Sequence, residues 1–215
     1  MLLNESSEQT VRVPLVTASI IGLNATVFLV ELAGGAGFVT RWSLVPGNIV
    51  ADRGWVTIVT SLFMHAGPVH LLANVLFLWM LGPEIEDLMG PVPYLLLYLL
   101  GGLVAIGLQV AISPASTVPS LGASGAVAAV MGGFLLTYPR ERSRIVLLFG
   151  WFVRLSLVLA IVLVGLWFLS HVFSQVGAVI ETQSGVVAYA GLIGGFVLGM
   201  VAGRLFEIRR RRAES

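Results

Sequence analysis

The sequence predicts an all-α, polytopic membrane protein, a bundle of six transmembrane helices, and three observations carry that expectation. Of its 215 residues, 57% are hydrophobic and 11% charged, far from the usage of soluble domains. Six segments approach or exceed the roughly 20 apolar residues that cross a bilayer as a helix. They cover residues 13–33, 69–89, 93–112, 122–138, 145–170 and 186–206. The last of them carries Gly191, Gly195, Gly199 and Gly203 at a spacing of four, a small-residue face that lets membrane helices approach closely.

The composition also excludes several classes of function. There is no cysteine, so disulfides and thiolate chemistry are unavailable. All 12 basic residues are arginine, and none forms the basic face of a soluble domain that duplex binding requires. No nucleic-acid partner is therefore expected, and no cofactor or metal is implied. Glu84, Glu86 and Asp87, at the end of the second span, read as a solvated turn rather than a metal site. The N-terminal MLLNESSEQTVRV lacks the basic and apolar regions of a removable signal, so the first span is expected to stay in the mature chain.

Along the chain, three regions are expected: a cytoplasmic N-terminal segment 1–12, a six-helix membrane domain 13–206 and a basic cytoplasmic tail 207–215. The connection 34–68 is rich in glycine and proline yet apolar. Trp42 and Trp55 suit the membrane surface, so this loop is expected to lie partly in the interface. Arg140, Arg142 and Arg144 crowd the link between the fourth and fifth spans, and Arg204 and Arg209 to Arg212 follow the sixth. Because short arginine-rich loops stay cytoplasmic, both termini are expected in the cytoplasm, with the C-terminal arginine run held against anionic headgroups. Asn24, Glu31 and Arg154, in or near spans, read as interhelical pairs or as side chains snorkelling to the surface.

The polar residues within the spans are the candidates for chemistry. His70 and Asn74, four apart, share a face of the second span; packing by hydrogen bonds between helices would explain them equally well. Ser124 lies between Gly122 and Gly125 at the start of the fourth span. The unsatisfied N–H groups of a first helical turn can stabilise an oxyanion there. Small residues around a serine also occur wherever membrane helices pack. Ala126, Ala129, Gly132 and Gly133 make this span the natural partner of the glycine face in the sixth.

Taken together, SLFMHAGPVHLLANVLFLWMLGPEIE, GASGAVAAVMGGFLL and GLIGGFVLG, in this order on six spans, resemble the rhomboid family of intramembrane serine proteases over about residues 13–206. The resemblance implies a six-helix rhomboid-like bundle in the cell membrane that acts on transmembrane protein substrates. It matches the family's nucleophile to Ser124, its oxyanion-stabilising side chains to His70 and Asn74, and a more structural histidine to His65. The family's catalytic base is a histidine on the sixth span that takes the serine proton, with no third acid.

Here the chain departs from the pattern. Aligning on Gly194, Gly195 and Gly199 puts Gly191 and Leu192 where the family has Ala-His, so the base position is vacant. Four residues after the serine, where many members carry an aromatic ring that packs on that histidine, stands Ala128. The family's Trp-Arg element is blurred to Trp55-Val56. Two residues are candidates to replace the base. Tyr189 is a poor base near neutrality with an ordinary pKa of about 10. His171, near the outer end of the fifth span, has a suitable range, but the family places that span beside the substrate gate. The expectation is a protease scaffold with impaired activity; the alternative is a pseudoprotease that binds transmembrane clients without cutting them. A small-solute transporter finds little support, since no inverted repeat or pair of broken helices is evident.

Overall fold

The computed structural model describes residues 14–137, 144–148, 151–155, 161–169 and 184–214. The first span, α1 (Leu15–Trp42), starts just after Pro14 and is interrupted at Gly35, whose φ of 61° and ψ of −159° end the regular helix. Within the connection that follows lie α2 (Pro46–Val50), α3 (Thr57–Thr60) and a 3₁₀ turn (Ser61–Phe63). This loop is structured, as its apolar content requires.

Next come α4 (Pro68–Met89) and α5 (Pro91–Ile112), each with proline in its first turn, where the missing N–H costs nothing. A single residue, Gly90, joins them with a φ of 84°, a left-handed conformation that only glycine takes without strain. Pro83 sits inside α4, as membrane helices tolerate. The core helix α6 (Ser124–Thr137) follows, with Gly125 to Phe134 buried without interruption. Such an all-round apolar helix belongs at the centre of a bundle, and α4, α5 and α8 (Ser184–Glu214) pack around it.

The first part of the fifth expected span, 145–170, is corrected by the structure. Residues Arg144–Leu148 (β1) and Trp151–Leu155 (β2) pair antiparallel, with Arg144 opposite Leu155 and Leu148 opposite Trp151. Among the described residues, helix α7 covers 161–169. The run Ile-Val-Leu-Leu followed by Trp-Phe-Val is rich in β-branched and aromatic residues, which suit strands as well as membrane helices. Hydropathy alone does not separate the two. Four helices among the described residues are long and apolar enough to cross a membrane: Leu15–Trp42, Pro68–Met89, Pro91–Ile112 and Tyr189–Ala213. Exposed Leu15, Val69, Leu72, Leu96, Val197 and Val201 line the outside of this helical bundle, which is the face lipid requires. Helix α8 continues without a break through the basic run Arg209 to Arg212.

The solvated turn expected at Glu84, Glu86 and Asp87 is also corrected, because α4 runs through all three residues. Glu86 is 7% exposed. Its carboxyl accepts the backbone N–H groups of Val16 and Thr17, at 3.0 and 2.8 Å, and the Thr17 hydroxyl at 2.8 Å. In effect the end of α4 caps the start of α1, where first-turn N–H groups have no partner within the helix. Glu86→Ala is expected to destabilise the fold by about 2 to 4 kcal/mol, the scale of hydrogen bonds to a carboxylate plus the orphaned donors; unfolding followed in detergent checks this. Asn24 also finds a partner, its amide donating to the Tyr98 hydroxyl at 3.2 Å, which is the interhelical pairing expected of it.

The glycine face of α8 works as expected against α6 and further engages α5. A Cβ at Gly195 would strike the Gly125 carbonyl, one at Gly199 the Ala129 carbonyl, and one at Gly203 would lie 2.8 Å from the Gly133 carbonyl. The two helices therefore run parallel in a constant register of matched positions four residues apart. A Cβ at Gly191 would instead lie 2.9 Å from the Ala105 carbonyl of α5.

Candidate active site

Ser124 opens α6: the Ala123 carbonyl just before it accepts the Val127 N–H at 2.9 Å. The chain approaching it is pinned from three sides. Leu44 and Ser120 exchange backbone hydrogen bonds at 2.8 and 2.6 Å, and the Gly122 N–H donates to the Ser61 carbonyl at 2.9 Å. The Ser120 hydroxyl donates to Gln109 Oε1 at 2.8 Å. Ser124 itself is half-buried, with Ala123 and Gly125 buried on either side.

Gly122 holds the pocket open. Its φ is 140°, and a Cβ there would lie 3.0 Å from His70 Cε1, 3.6 Å from His70 Nε2 and 3.5 Å from Ser124 Oγ. The His70 imidazole of α4 and the Ser124 hydroxyl of α6 thus border the same small space, which any side chain at 122 would fill. His70 Nδ1 accepts the Ala66 N–H at 3.4 Å. A nitrogen that accepts carries no hydrogen, so the proton of a neutral ring resides on Nε2, the nitrogen facing this space. Such a ring is a donor toward Ser124, suited to an oxyanion and unsuited to taking a proton.

One helical turn further along α4, Asn74 is fully buried, and neither Nδ2 nor Oδ1 has a hydrogen-bond partner among the described residues. A buried amide with nothing to bond is costly.

His65, in the link before α4, is 3% exposed. Its Nδ1 lies 3.1 Å from the Phe63 carbonyl, and because a carbonyl can only accept, Nδ1 carries the proton. Desolvation by burial pulls its pKa down to about 4, against a smaller upward pull from the bond to Phe63. The ring meets His70 edge-on at a centroid distance of 5.3 Å. His65 is therefore a neutral, packed partner of His70.

At the position opposite, α8 presents hydrocarbon. Because Gly195 meets Gly125, Leu192, three residues earlier, comes about one turn nearer the start of α8, at the level of Gly122 to Ser124. Leu192 is 5% exposed and belongs to the apolar core, as does fully buried Ala128. Tyr189 is half-buried, and its hydroxyl has no partner among the described residues. His171 lies outside the described residues. Ring contacts Phe77–Trp167, Trp167–Phe168 and Phe168–Phe196, at 6.1, 5.2 and 5.5 Å, connect α4 through α7 to α8. An open pocket of about 450 Å³ between α2 and the 114–117 link is lined by Asn48, Arg53, Pro114 and Thr117 among others. It shares no residue with the Ser124 site.

The structure thus brings Ser124 and His70 to one pocket, places Asn74 one turn below His70, and sets Leu192 at the same level on α8. Sequence reasoning missed the part played by Gly122, although a glycine two residues before the serine was in plain sight. It also missed how the site is tied to α1. Glu31, 4% exposed, accepts the His65 N–H with both carboxyl oxygens at 3.2 and 3.1 Å. A carboxylate inside an apolar span was the available signal; its backbone target was not.

Comparison with known proteins points to one family. A family model described as the Rhomboid domain matches residues 52–208. Rhomboid protease GluP of Bacillus subtilis is 27% identical over 179 residues, covering 82% of this chain and 32% of that protein. Rhomboid protein 1, mitochondrial, of Saccharomyces cerevisiae is 30% identical over 129 residues, 58% of this chain and 37% of that protein. Putative rhomboid protease YdcA of Bacillus subtilis is 30% identical over 134 residues, 61% of this chain and 66% of that protein. The matched region is thus about a third of the length of the first two relatives and about two thirds of the third.

Proposed function

The chain belongs to the rhomboid family, and we propose that it is an intramembrane serine endopeptidase scaffold that engages transmembrane segments of other proteins at Ser124 and hydrolyses them slowly at most. The observation that carries this reading is Leu192, buried hydrocarbon at the level of the serine on the helix where the family places its base.

The chemistry follows from the residues present. Ser124 Oγ attacks the scissile carbonyl, and the developing oxyanion is received by the Nε2–H of His70, the amide of Asn74 and the first-turn N–H groups of α6. What is lacking is a destination for the hydroxyl proton, since a serine is a weak nucleophile without an adjacent base. In a serine protease, removing the histidine alone lowers kcat by roughly 10⁶. Oxyanion donors and binding alone retain about 10³ to 10⁴ over water. Slow or absent turnover is the consequence.

The second reading, a pseudoprotease that holds transmembrane clients without cutting them, is favoured by Ala128. The vacated histidine and its missing aromatic neighbour are both filled by closed apolar packing, as a scaffold retained for binding would have them. On either reading the chain is a cell-membrane protein with both termini in the cytoplasm, an orientation supported by the arginines that flank the fourth and sixth spans.

Photocrosslinking from α4 and α7 in intact membranes, combined with a fluorophosphonate probe, tests the proposal. Recovery of transmembrane proteins at these positions with weak, Ser124-dependent labelling is the expected result. Failure to recover any transmembrane client above background would contradict both readings. Strong labelling without clients would remove the substrate class.

A further inference from the structure

Two hydrogen-bonded contacts in series join the first span to the pocket beside Ser124. On α1, Glu31 takes the His65 N–H on both carboxyl oxygens at 3.2 and 3.1 Å. At the next residue, the Ala66 N–H donates to His70 Nδ1 at 3.4 Å. The far nitrogen of that ring, Nε2, borders the space shared with Ser124 Oγ and Gly122.

Packing alone does not account for a carboxyl group at this place. One backbone N–H needs one acceptor, and an amide or hydroxyl would serve; burying a carboxyl inside a membrane bundle is far more expensive. The His65 ring does not repay that cost, because its Nδ1 is committed to the Phe63 carbonyl. What a two-oxygen acceptor adds is a firm hold on the peptide before His65, and with it the direction of the next N–H. The link 64–67 between the 3₁₀ turn and α4 contains Gly67, so the segment has freedom to lose.

We propose that Glu31 is a positioning residue for His70: by anchoring the His65–Ala66 segment it keeps the Ala66 N–H on Nδ1, and so fixes the imidazole proton on Nε2, facing Ser124. The inference rests on the reading of His70 as an oxyanion donor. Glu31 acts at one remove and touches neither substrate nor serine. Without it, the Ala66 N–H turns away, Nδ1 is free to carry the proton, and Nε2 becomes an acceptor that repels an oxyanion.

The test uses the full chain in lipid nanodiscs, with histidine ¹⁵N spectra as the first readout and fluorophosphonate labelling of Ser124 in a Leu192→His background as the second. The unaltered chain should show His70 protonated on Nε2. Glu31→Leu should populate the Nδ1-protonated tautomer and slow labelling by at least about tenfold, the worth of one well-placed hydrogen bond. Glu31→Gln, which keeps one acceptor oxygen of the two, should recover part of both signals. Glu31→Asp keeps the carboxyl but withdraws it by one methylene, and should shift the tautomer even if the leucine variant does not fold. A folded Glu31→Leu or Glu31→Asp chain with the native His70 spectrum would overturn the proposal, as would a Gln variant no better than Leu. If no background labels at all, the serine-protease reading fails, while the spectra still decide the role of Glu31.

Discussion

Leu192→His is expected to raise Ser124-dependent cleavage of a model transmembrane substrate by at least about 10²-fold over the unaltered chain, a fraction of the roughly 10⁶ a lost histidine costs in a serine protease. The site is otherwise furnished, with a half-buried serine at a helix start, a donor imidazole and an amide that has no partner among the described residues. Leu192 is 5% exposed at the level of the serine, so an imidazole there is close in size to what it replaces. A hydrogen bond between the serine hydroxyl and its buried nitrogen, which the proposed dyad requires, would offset desolvation. Ala128→Tyr is a different matter. Ala128 is fully buried, and adding a ring to a closed core costs about 1 to 3 kcal/mol or more. The double variant should gain less than the single unless the core relaxes. Gel-based cleavage in liposomes, with Ser124→Ala as the blank, measures the gain. A folded Leu192→His chain that cuts no better than the blank would mean that the pocket is not a working oxyanion site.

The second large effect is structural. Gly199→Ala is expected to destabilise the bundle by about 3 kcal/mol or more, and Gly199→Val to prevent its assembly, because the added Cβ meets the Ala129 carbonyl and backbone cannot step aside as a side chain can. Gly107→Ala on α5 is the matched control: nothing lies within 4 Å of its Cβ, and alanine is the better helix former by roughly 1 kcal/mol. It should be neutral or mildly stabilising. Unfolding of both variants in detergent decides the point, and equal stabilities would show that the α6–α8 contact is looser than the register implies. Because Leu192 is set by the same register, Gly199→Ala should also reduce any activity gained through Leu192→His.

Much of this was legible in the sequence for identifiable reasons. The spans ending near Met89 and Ile112 were bounded by Gly90, Pro91 and the polar run after residue 112, signals that act locally. The α6–α8 contact was legible because a four-residue glycine spacing has few other uses in a membrane. The paired strands 144–148 and 151–155 were not legible, since Ile-Val-Leu-Leu reads alike in a span and a strand. Glu86 was misplaced because its partners, Val16 and Thr17, lie some 70 residues away in sequence. The same distance effect hid Glu31, whose acceptor role depends on a loop conformation that no local pattern encodes. His70 and Asn74 were visible as a pair four apart, but the proton's place on Nε2 required the Ala66 N–H.

The central claim is that this member of the family keeps the oxyanion side of the site and has lost the proton acceptor. Its most direct test is the turnover of one transmembrane substrate by the unaltered chain, Ser124→Ala and Leu192→His, in the same liposomes. The account predicts that the unaltered chain stays near the Ser124→Ala blank while Leu192→His cuts. Ser124-dependent turnover of the unaltered chain equal to that of Leu192→His would contradict it, by showing that some other group accepts the proton.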